Sequence, residues 1–177
     1  ICLKNGMMAR YSEIAPVVPE NWFTARTNAQ GQFTFDNVPE GSTADFGAEA
    51  PGRASAWTFY DYGLDRGEQF AAGRTDIRIV LASEARIGGR VVDELTGQGV
   101  TDANVVAIPR RSGAKRFYEN PLRTDSNGRF AFGGLARDEY LVCATSKKSG
   151  AGNLTVAVEA GQILSDVTIS LEGVAFE

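Results

Sequence analysis

Two segments of this chain, residues 11–23 and 55–70, hold both of its tryptophans and several further aromatic rings. The candidate binding residues are Trp22, Phe23, Trp57, Phe59, Tyr60 and Tyr62. Flat amphipathic rings supply contact area at a low cost in side-chain entropy, so they suit stacking against sugars or docking of a protein. The same rings could instead cover the core of their own domain, because inserted loops often close over it. The sequence leaves these three interpretations open.

Other chemistry is limited by the residue inventory. The chain contains no histidine, which excludes the usual Ser-His-Asp and Cys-His nucleophilic sites and His-based zinc sites. Its two cysteines, Cys2 and Cys143, lie in apolar strand-like segments, which predicts buried free thiols and no disulfide framework. The acidic residues stand singly among turn residues, so no pair faces another across a cleft. We therefore expect no catalytic residue, no metal site and no cofactor.

The charge distribution speaks against binding to nucleic acid or crossing a membrane. Lys and Arg number 18 and Asp and Glu 22, for a net charge of -4. One basic group, Arg110, Arg111, Lys115 and Arg116, is typical of a solvated loop and too small for a phosphate-binding face. No apolar run approaches the roughly 20 residues of a membrane span in this segment. The chain begins with Ile, so we expect a processed product or a fragment, with any targeting signal upstream.

A repeated phrase indicates the architecture. The chain reads TNAQGQFTFDNV over residues 27–38 and TDSNGRFAFGGL over residues 124–135. In each copy two phenylalanines alternate with a smaller residue, which predicts that both rings enter the core from one strand. Gly31 and Gly128 stand where a tight turn needs a positive φ, so the phrase predicts a β-hairpin. A calcium site at Asp125 and Asn127 is the alternative, but this turn has too few oxygen ligands.

The second half of the chain predicts seven short strands with no helical period, which is typical of a β-sandwich. Near its end, DVTISLE places Val167, Ile169 and Leu171 on one face. The first half ends in the similar segment DIRIVLA, with Ile77, Ile79 and Leu81 facing inward. The predicted fold class is therefore all-β, with two tandem seven-stranded Greek-key-like β-sandwiches.

The predicted domains are residues 1–83 and residues 84–177. The segment ICLKN at the start corresponds to VVAIP in the second copy, and nothing in the chain precedes it to match ARIGGRVVD. The first sandwich thus lacks its opening strand and carries the aromatic insertions. The ending LEGVAFE is similar to the start of a further copy, so we expect the chain to be part of a longer array.

The second copy resembles the carboxypeptidase regulatory-like domain, a transthyretin-like (prealbumin-like) seven-stranded β-sandwich. The resemblance rests on GRVVDELTGQGVTDANVVAI, TDSNGRFAFGGL and YLVCAT, and the first copy matches it from its second strand onward. Members of this family are mostly non-catalytic accessory modules, often in tandem on secreted or cell-surface bacterial proteins. The resemblance implies no active site to carry over, and its motifs specify a fold better than a function.

The resemblance and the residues together predict a structural or interaction module, a tandem spacer or protein-docking unit of a larger surface or periplasmic protein. The alternative is a carbohydrate-binding module that uses the aromatic loops of the first domain. Expected partners are neighbouring domains of the parent protein, and a surface protein or polysaccharide. A strand donated by upstream sequence or another molecule is expected at the unpaired edge of the first domain.

Overall fold

The structure, a computed structural model, describes residues 2–4, 24–36, 38–57, 70–110 and 121–173. These residues are all-β and contain no helix, as the sequence predicts. The chain divides into two compact units. The first comprises Ile1–Ala50 and Ala56–Leu81, and the second comprises Pro51–Ser55 and Ala82–Glu177.

The strands of the described residues are β1 (Cys2–Lys4), β2 (Thr43–Ala48), β3 (Ala56–Trp57), β4 (Phe70–Ala71), β5 (Ala85–Asp93), β6 (Asn104–Pro109), β7 (Leu122–Arg123), β8 (Arg129–Leu135), β9 (Asp138–Ser146), β10 (Gly150–Val158) and β11 (Ile163–Leu171). The first four belong to the first unit and the other seven to the second.

The second unit is a two-sheet sandwich. One sheet has the strand order β10-β9-β6-β7 and the other has the order β11-β5-β8. The neighbours in both sheets are antiparallel except β11 and β5, which run parallel. Buried side chains from both sheets form one cluster, so the sheets pack face to face around a single core.

Strict alternation along the strands builds this core. Phe130 and Phe132 of β8 are 6% and 3% exposed, while Ala131 between them is exposed. In β11, Ile169 and Leu171 are buried and their neighbours are exposed, which confirms the inward face predicted from DVTISLE. Period-two burial of this kind is the pattern of a strand with one face on a core.

The repeated phrase forms a tight turn in both units. The Asp125 amide donates to the Arg129 carbonyl at 3.0 Å, and the Asn28 amide makes the equivalent bond at 2.9 Å in the first unit. Gly31 and Gly128 both have a φ of 77°, which confirms the predicted need for positive φ.

The prediction that the second copy of this phrase forms a two-stranded hairpin is wrong in its pairing. Before the turn, β7 pairs with β6, and after the turn, β8 pairs with β5 in the other sheet. Thr124, which is 5% exposed, keeps the first arm in its sheet, since its hydroxyl donates to the Val100 carbonyl at 2.6 Å and accepts from the Ala103 amide at 2.9 Å. The turn therefore carries the chain from one sheet to the other.

In the first unit, β2 pairs with β1, β3 and β4. The register of β1 on β2, with Leu3 opposite Phe46, matches that of β6 on β9, with Ala107 opposite Val142. The alignment of ICLKN with VVAIP places Leu3 and Ala107 at equivalent positions. With Leu3 aligned to Ala107, β1 and β2 correspond to β6 and β9, which are also antiparallel neighbours.

The two outer segments of the first unit differ from their counterparts. DIRIVLA, residues 76–82, and the phenylalanines of the repeated phrase are extended but belong to no strand ladder, so the expected closing strand is not formed among the described residues. The physical reason is that no described strand lies where β5 lies in the second unit. The inward face is as predicted for Ile77 and Ile79, which pack with Phe33 and Phe35 against Phe46 and Phe70. Leu81 is half-buried and is not part of this cluster.

The second unit also includes Pro51–Ser55. The Ala54 amide donates to the Ala82 carbonyl at 3.0 Å, and the Ser55 amide donates to the Gly134 carbonyl at 3.2 Å. The Ala54 side chain is 3% exposed. Pro51–Ser55 thus packs and hydrogen-bonds as part of the second unit, although it lies before most of that unit in the sequence.

Candidate functional site

The aromatic segment of residues 55–70 contains β3 and the start of β4, two short strands that both pair with β2. β3 pairs with β2 through Trp57 opposite Gly47, and β4 pairs with β2 through Phe70 opposite Ala44. β10 pairs with β9 at both equivalent positions as a single continuous strand. We infer that β3 and β4 are two pieces of one edge strand, with residues 58–69 inserted where β10 has two residues.

The insertion therefore has both ends on a rigid element, a common way to present a binding loop. Of the six predicted binding residues, the structure places only the backbone of Trp57, at the end of β3. Trp22, Phe23, Phe59, Tyr60 and Tyr62 lie outside the described residues, as does the side chain of Trp57. Their role as a binding surface stays a prediction.

The carboxylates with perturbed pKa values serve as hydrogen-bond acceptors. The Arg74 side chain holds the pKa of Asp76 below its usual value, through a hydrogen bond of 2.8 Å from Nη2. The Arg86 side chain, followed by the Gly134 amide, lowers the pKa of Glu84 in the same way. A general acid at neutral pH needs a raised pKa, so the direction of these shifts is that of structural ion pairs.

Asp125 carries the turn of the repeated phrase. Its Oδ1 accepts from the Asn127 and Arg129 amides, both at 2.8 Å, and these bonds lower its pKa, the one from Arg129 most. Asn28 caps the equivalent turn in the first unit, where its Oδ1 accepts a hydrogen bond from the Gln30 amide at 3.0 Å. An amide side chain that serves equally well points to a backbone-capping role and not to a calcium ligand.

Two side chains that could act as nucleophiles are held in their neutral forms. Burial raises the pKa of the Tyr140 phenol, and its hydroxyl donates to the Ala136 carbonyl at 3.0 Å. Burial also raises the pKa of the Cys143 thiol, and the thiolate is the reactive form. Cys143 is free, as predicted, but half-buried on the outer face of β9, so the prediction of a buried thiol is wrong for this residue. The side chain of Cys2 lies outside the described residues.

The described residues form neither a metal-binding cluster nor a membrane-spanning helix. Within them, no three His, Cys, Asp or Glu side chains group closely enough to hold a metal ion. The same part of the chain contains no helix with the length and apolar character that crossing a membrane requires.

Sequence reasoning did not place residues 58–69 between two strands that pair with β2. The correspondence of Trp57 with Asn153 and of Phe70 with Val156 follows from the strand pairing.

Comparison with known proteins assigns the second unit. Residues 86–172 match the carboxypeptidase regulatory-like domain family, a range that extends from β5 through β11. No curated protein matches the chain significantly. The family is a non-catalytic β-sandwich module, in agreement with the two-sheet topology of these residues. Residues 86–172 of this chain are a carboxypeptidase regulatory-like domain.

Proposed function

We propose that this chain is a non-catalytic structural and interaction module of a larger secreted or cell-surface bacterial protein, in which two β-sandwiches act as a spacer or docking unit. The observation that carries the proposal is that the carboxylates of the second unit bind groups of their own fold. Its perturbed carboxylates, Glu84, Asp93 and Asp125, bind backbone amides or neighbouring side chains of turns and strand ends. Such bonds hold the turns and strand ends of a scaffold in place.

The first unit supports the same role. Its β1 and β2 pair in the register of β6 and β9, which favours a second copy of the same sandwich plan. A module that repeats along a chain separates the parts on either side of it, and its edge loops present contact surfaces.

A carbohydrate-binding module is the second candidate. It is favoured by the insertion that separates β3 from β4, since residues 58–69 contain three of the six predicted binding residues and Trp57 directly precedes them. Asn153, the residue of β10 equivalent to Trp57, is exposed. An indole at such a position could stack against a sugar ring.

Tryptophan fluorescence distinguishes the two candidates, because both tryptophans lie in the first half of the chain. We would measure acrylamide quenching of the purified protein, alone and with a panel of soluble polysaccharides, and assign the signal with W22F and W57F. For a spacer or docking unit we expect emission that no polysaccharide changes. Protection of Trp57 by one polysaccharide would establish the carbohydrate-binding alternative, and hydrolysis of any of them would contradict the non-catalytic proposal.

A further inference from the structure

The turn of the repeated phrase differs between the two units at one chemically important place. In the second unit Asn127 precedes Gly128, whereas in the first unit Gln30 precedes Gly31. Asparagine is among the thermolabile residues, and it is especially prone to lose its side-chain amide before glycine, because glycine has no Cβ to shield the following backbone nitrogen. The turn of the second unit therefore contains a reactive pair of residues that a spacer or docking role does not use.

The reaction of such a pair needs only water. The Gly128 nitrogen gives its proton to water and attacks Cγ of Asn127, the bond between Cγ and Nδ2 breaks, and ammonia leaves after taking one proton from the solvent. Water then opens the resulting succinimide ring at either carbonyl, which restores the N–H group and yields aspartate or isoaspartate. The reaction thus requires a free N–H group at Gly128 and room for this nitrogen to approach Cγ.

The folded turn opposes both requirements. The Gly128 amide donates to the Asp125 carbonyl at 3.0 Å, so its hydrogen is already engaged. Gly128 is buried, although the side chain of Asn127 is exposed to water. A Cβ added at Gly128 would lie 2.5 Å from the Val91 carbonyl oxygen and 2.8 Å from the Val100 nitrogen, so neighbouring backbone packs closely against this residue. The nitrogen therefore cannot move toward Cγ while the turn is closed.

Side chains from outside the turn hold its other peptide groups. The Arg90 side chain donates from Nε to the Asn127 carbonyl at 2.8 Å. The Thr101 hydroxyl donates to the Ser126 carbonyl at 3.2 Å. Within the turn, Oδ1 of Asp125 accepts from the Asn127 amide at 2.8 Å. The turn must release several of these bonds before the Gly128 nitrogen is free to react.

We propose that Asn127 is a site of spontaneous modification to aspartate and isoaspartate, and that local opening of the turn of residues 125–129 sets the rate of this reaction. The first unit lacks the site, because the extra methylene of Gln30 would require a larger ring and makes the same reaction much slower. The site rests on the geometry of one turn, so it goes beyond the spacer role and can fail independently of it.

The isoaspartate product is incompatible with the closed turn. It lengthens the main chain by a methylene between the amides of residues 127 and 129, both of which donate to Oδ1 of Asp125. Space for a longer backbone is lacking on the side of Gly99, where an added Cβ would overlap the Asn127 carbonyl oxygen. The modified turn should therefore lose its capping bonds, and the second unit should become less stable.

The test compares the full chain in its folded state with the same chain unfolded in guanidinium chloride, at one pH and temperature. Trypsin releases residues 124–129 as one peptide, separate from the other Asn-Gly pair at residues 5–6, and mass spectrometry after chromatography measures its unmodified, aspartate and isoaspartate forms. We expect the unfolded chain to react at least roughly tenfold faster, because a packed turn opens only rarely. N127Q, which copies Gln30, should give no product in either state.

Two matched variants loosen the turn without changing the reacting pair. T101V removes the hydroxyl that bonds to the Ser126 carbonyl, and T101S keeps it. In the folded state we expect T101V to react roughly twofold or more faster than T101S, because one hydrogen bond no longer holds the turn closed. After unfolding, both variants should react at the wild-type rate.

Equal rates in the folded and unfolded wild-type chain, or equal rates in folded T101V and T101S, would overturn the proposal. So would a rate that follows the hydrogen exchange of the β9 amides in every variant, because the reaction would then need unfolding of the whole unit. The isoaspartate chain should also melt at a lower temperature than N127D, which adds the charge without lengthening the backbone. Equal melting temperatures would overturn the inferred loss of the turn.

Discussion

At the residue scale, the positions that determine this fold are those where the backbone comes close to another strand or must turn sharply. Gly89 is such a position, since an added Cβ would lie 1.9 Å from the Val167 carbonyl oxygen. Its neighbour Gly88 is different, with 3.5 Å to the nearest atom, the Phe130 carbonyl oxygen. Two adjacent glycines in one strand thus have unequal tolerance for a side chain.

We predict that G89A destabilises the second unit by roughly 2 kcal/mol or more, as overpacking in a dense interior does. G88A is the control and should change the free energy of unfolding by less than about 1 kcal/mol. Urea unfolding followed by circular dichroism measures both. Equal effects of the two substitutions would show that β5 and β11 are not packed as described.

Asp125 is the second residue that determines the fold. The asparagine at the equivalent position, Asn28, indicates that Asp125 can be replaced by asparagine. D125N should retain both bonds from Oδ1, whereas D125A loses them and should lower the melting temperature by roughly a few degrees. The folded-state pKa of Asp125 lies below its ordinary 3.8, so its carboxylate stabilises the fold above that pH, and the contribution is lost as pH falls through the lowered value.

Thermal unfolding of these variants between neutral pH and pH 2 tests the prediction. The wild-type protein should lose stability below pH 3.8, and D125N should lose less over the same interval. Identical pH profiles for the wild-type protein and D125N would show that other groups govern acid unfolding.

At the element scale, the strands β3 and β4 belong to the sheet of the first unit, and residues 58–69 between them form the insertion. β3 and β4 pair with β2 in the register that β10 keeps without interruption on β9. Residues 58–69 therefore enter and leave the sheet at neighbouring positions of one edge. If the sheet of the first unit folds without residues 58–69, the sequence of these residues can change for binding without a loss of stability.

We predict that replacing residues 58–69 with Leu-Thr, the two residues found in β10, leaves the first unit folded and stabilises it by about 1.5 kcal/mol through the shorter loop. Differential scanning calorimetry measures the change. A variant with a Gly-Ser linker as long as the insertion is the control, because it keeps the loop length and removes the aromatic rings. Unfolding of the first unit in both variants would mean that the insertion forms part of its core.

At the scale of the whole molecule, the second unit is not a continuous stretch of sequence. Arg53 bridges to Ser83, and the Glu84 amide donates to the Gly52 carbonyl at 3.3 Å. Together with the buried Ala54, these contacts make Pro51–Ser55 part of the second unit. The stability of that unit should therefore depend on residues that lie between two strands of the first.

We predict that A54D destabilises the second unit by roughly 2 to 3 kcal/mol, because it places a carboxylate in a buried site. A82D is the control, since the Ala82 side chain is exposed and its substitution should change little. Hydrogen exchange of the β9 amides reports the stability of the second unit alone. Unchanged exchange in A54D would show that the segment does not stabilise it.

Much of the fold was predictable from sequence because its causes are local. The need for positive φ at Gly128, the capping side chain at Asp125 and the alternation around Phe130 each depend on a few neighbouring residues. Turn chemistry and period-two burial act over that same short range. The sequence by itself therefore determined an all-β chain, the positions of its turns and the inward face of its strands.

Only the tertiary structure decided which strands pair. The arms of the repeated turn separate into two sheets, one edge strand is split by an insertion, and Pro51–Ser55 completes the other unit. Pairing partners are selected by the burial of faces far apart in sequence, and local preference carries no information about them.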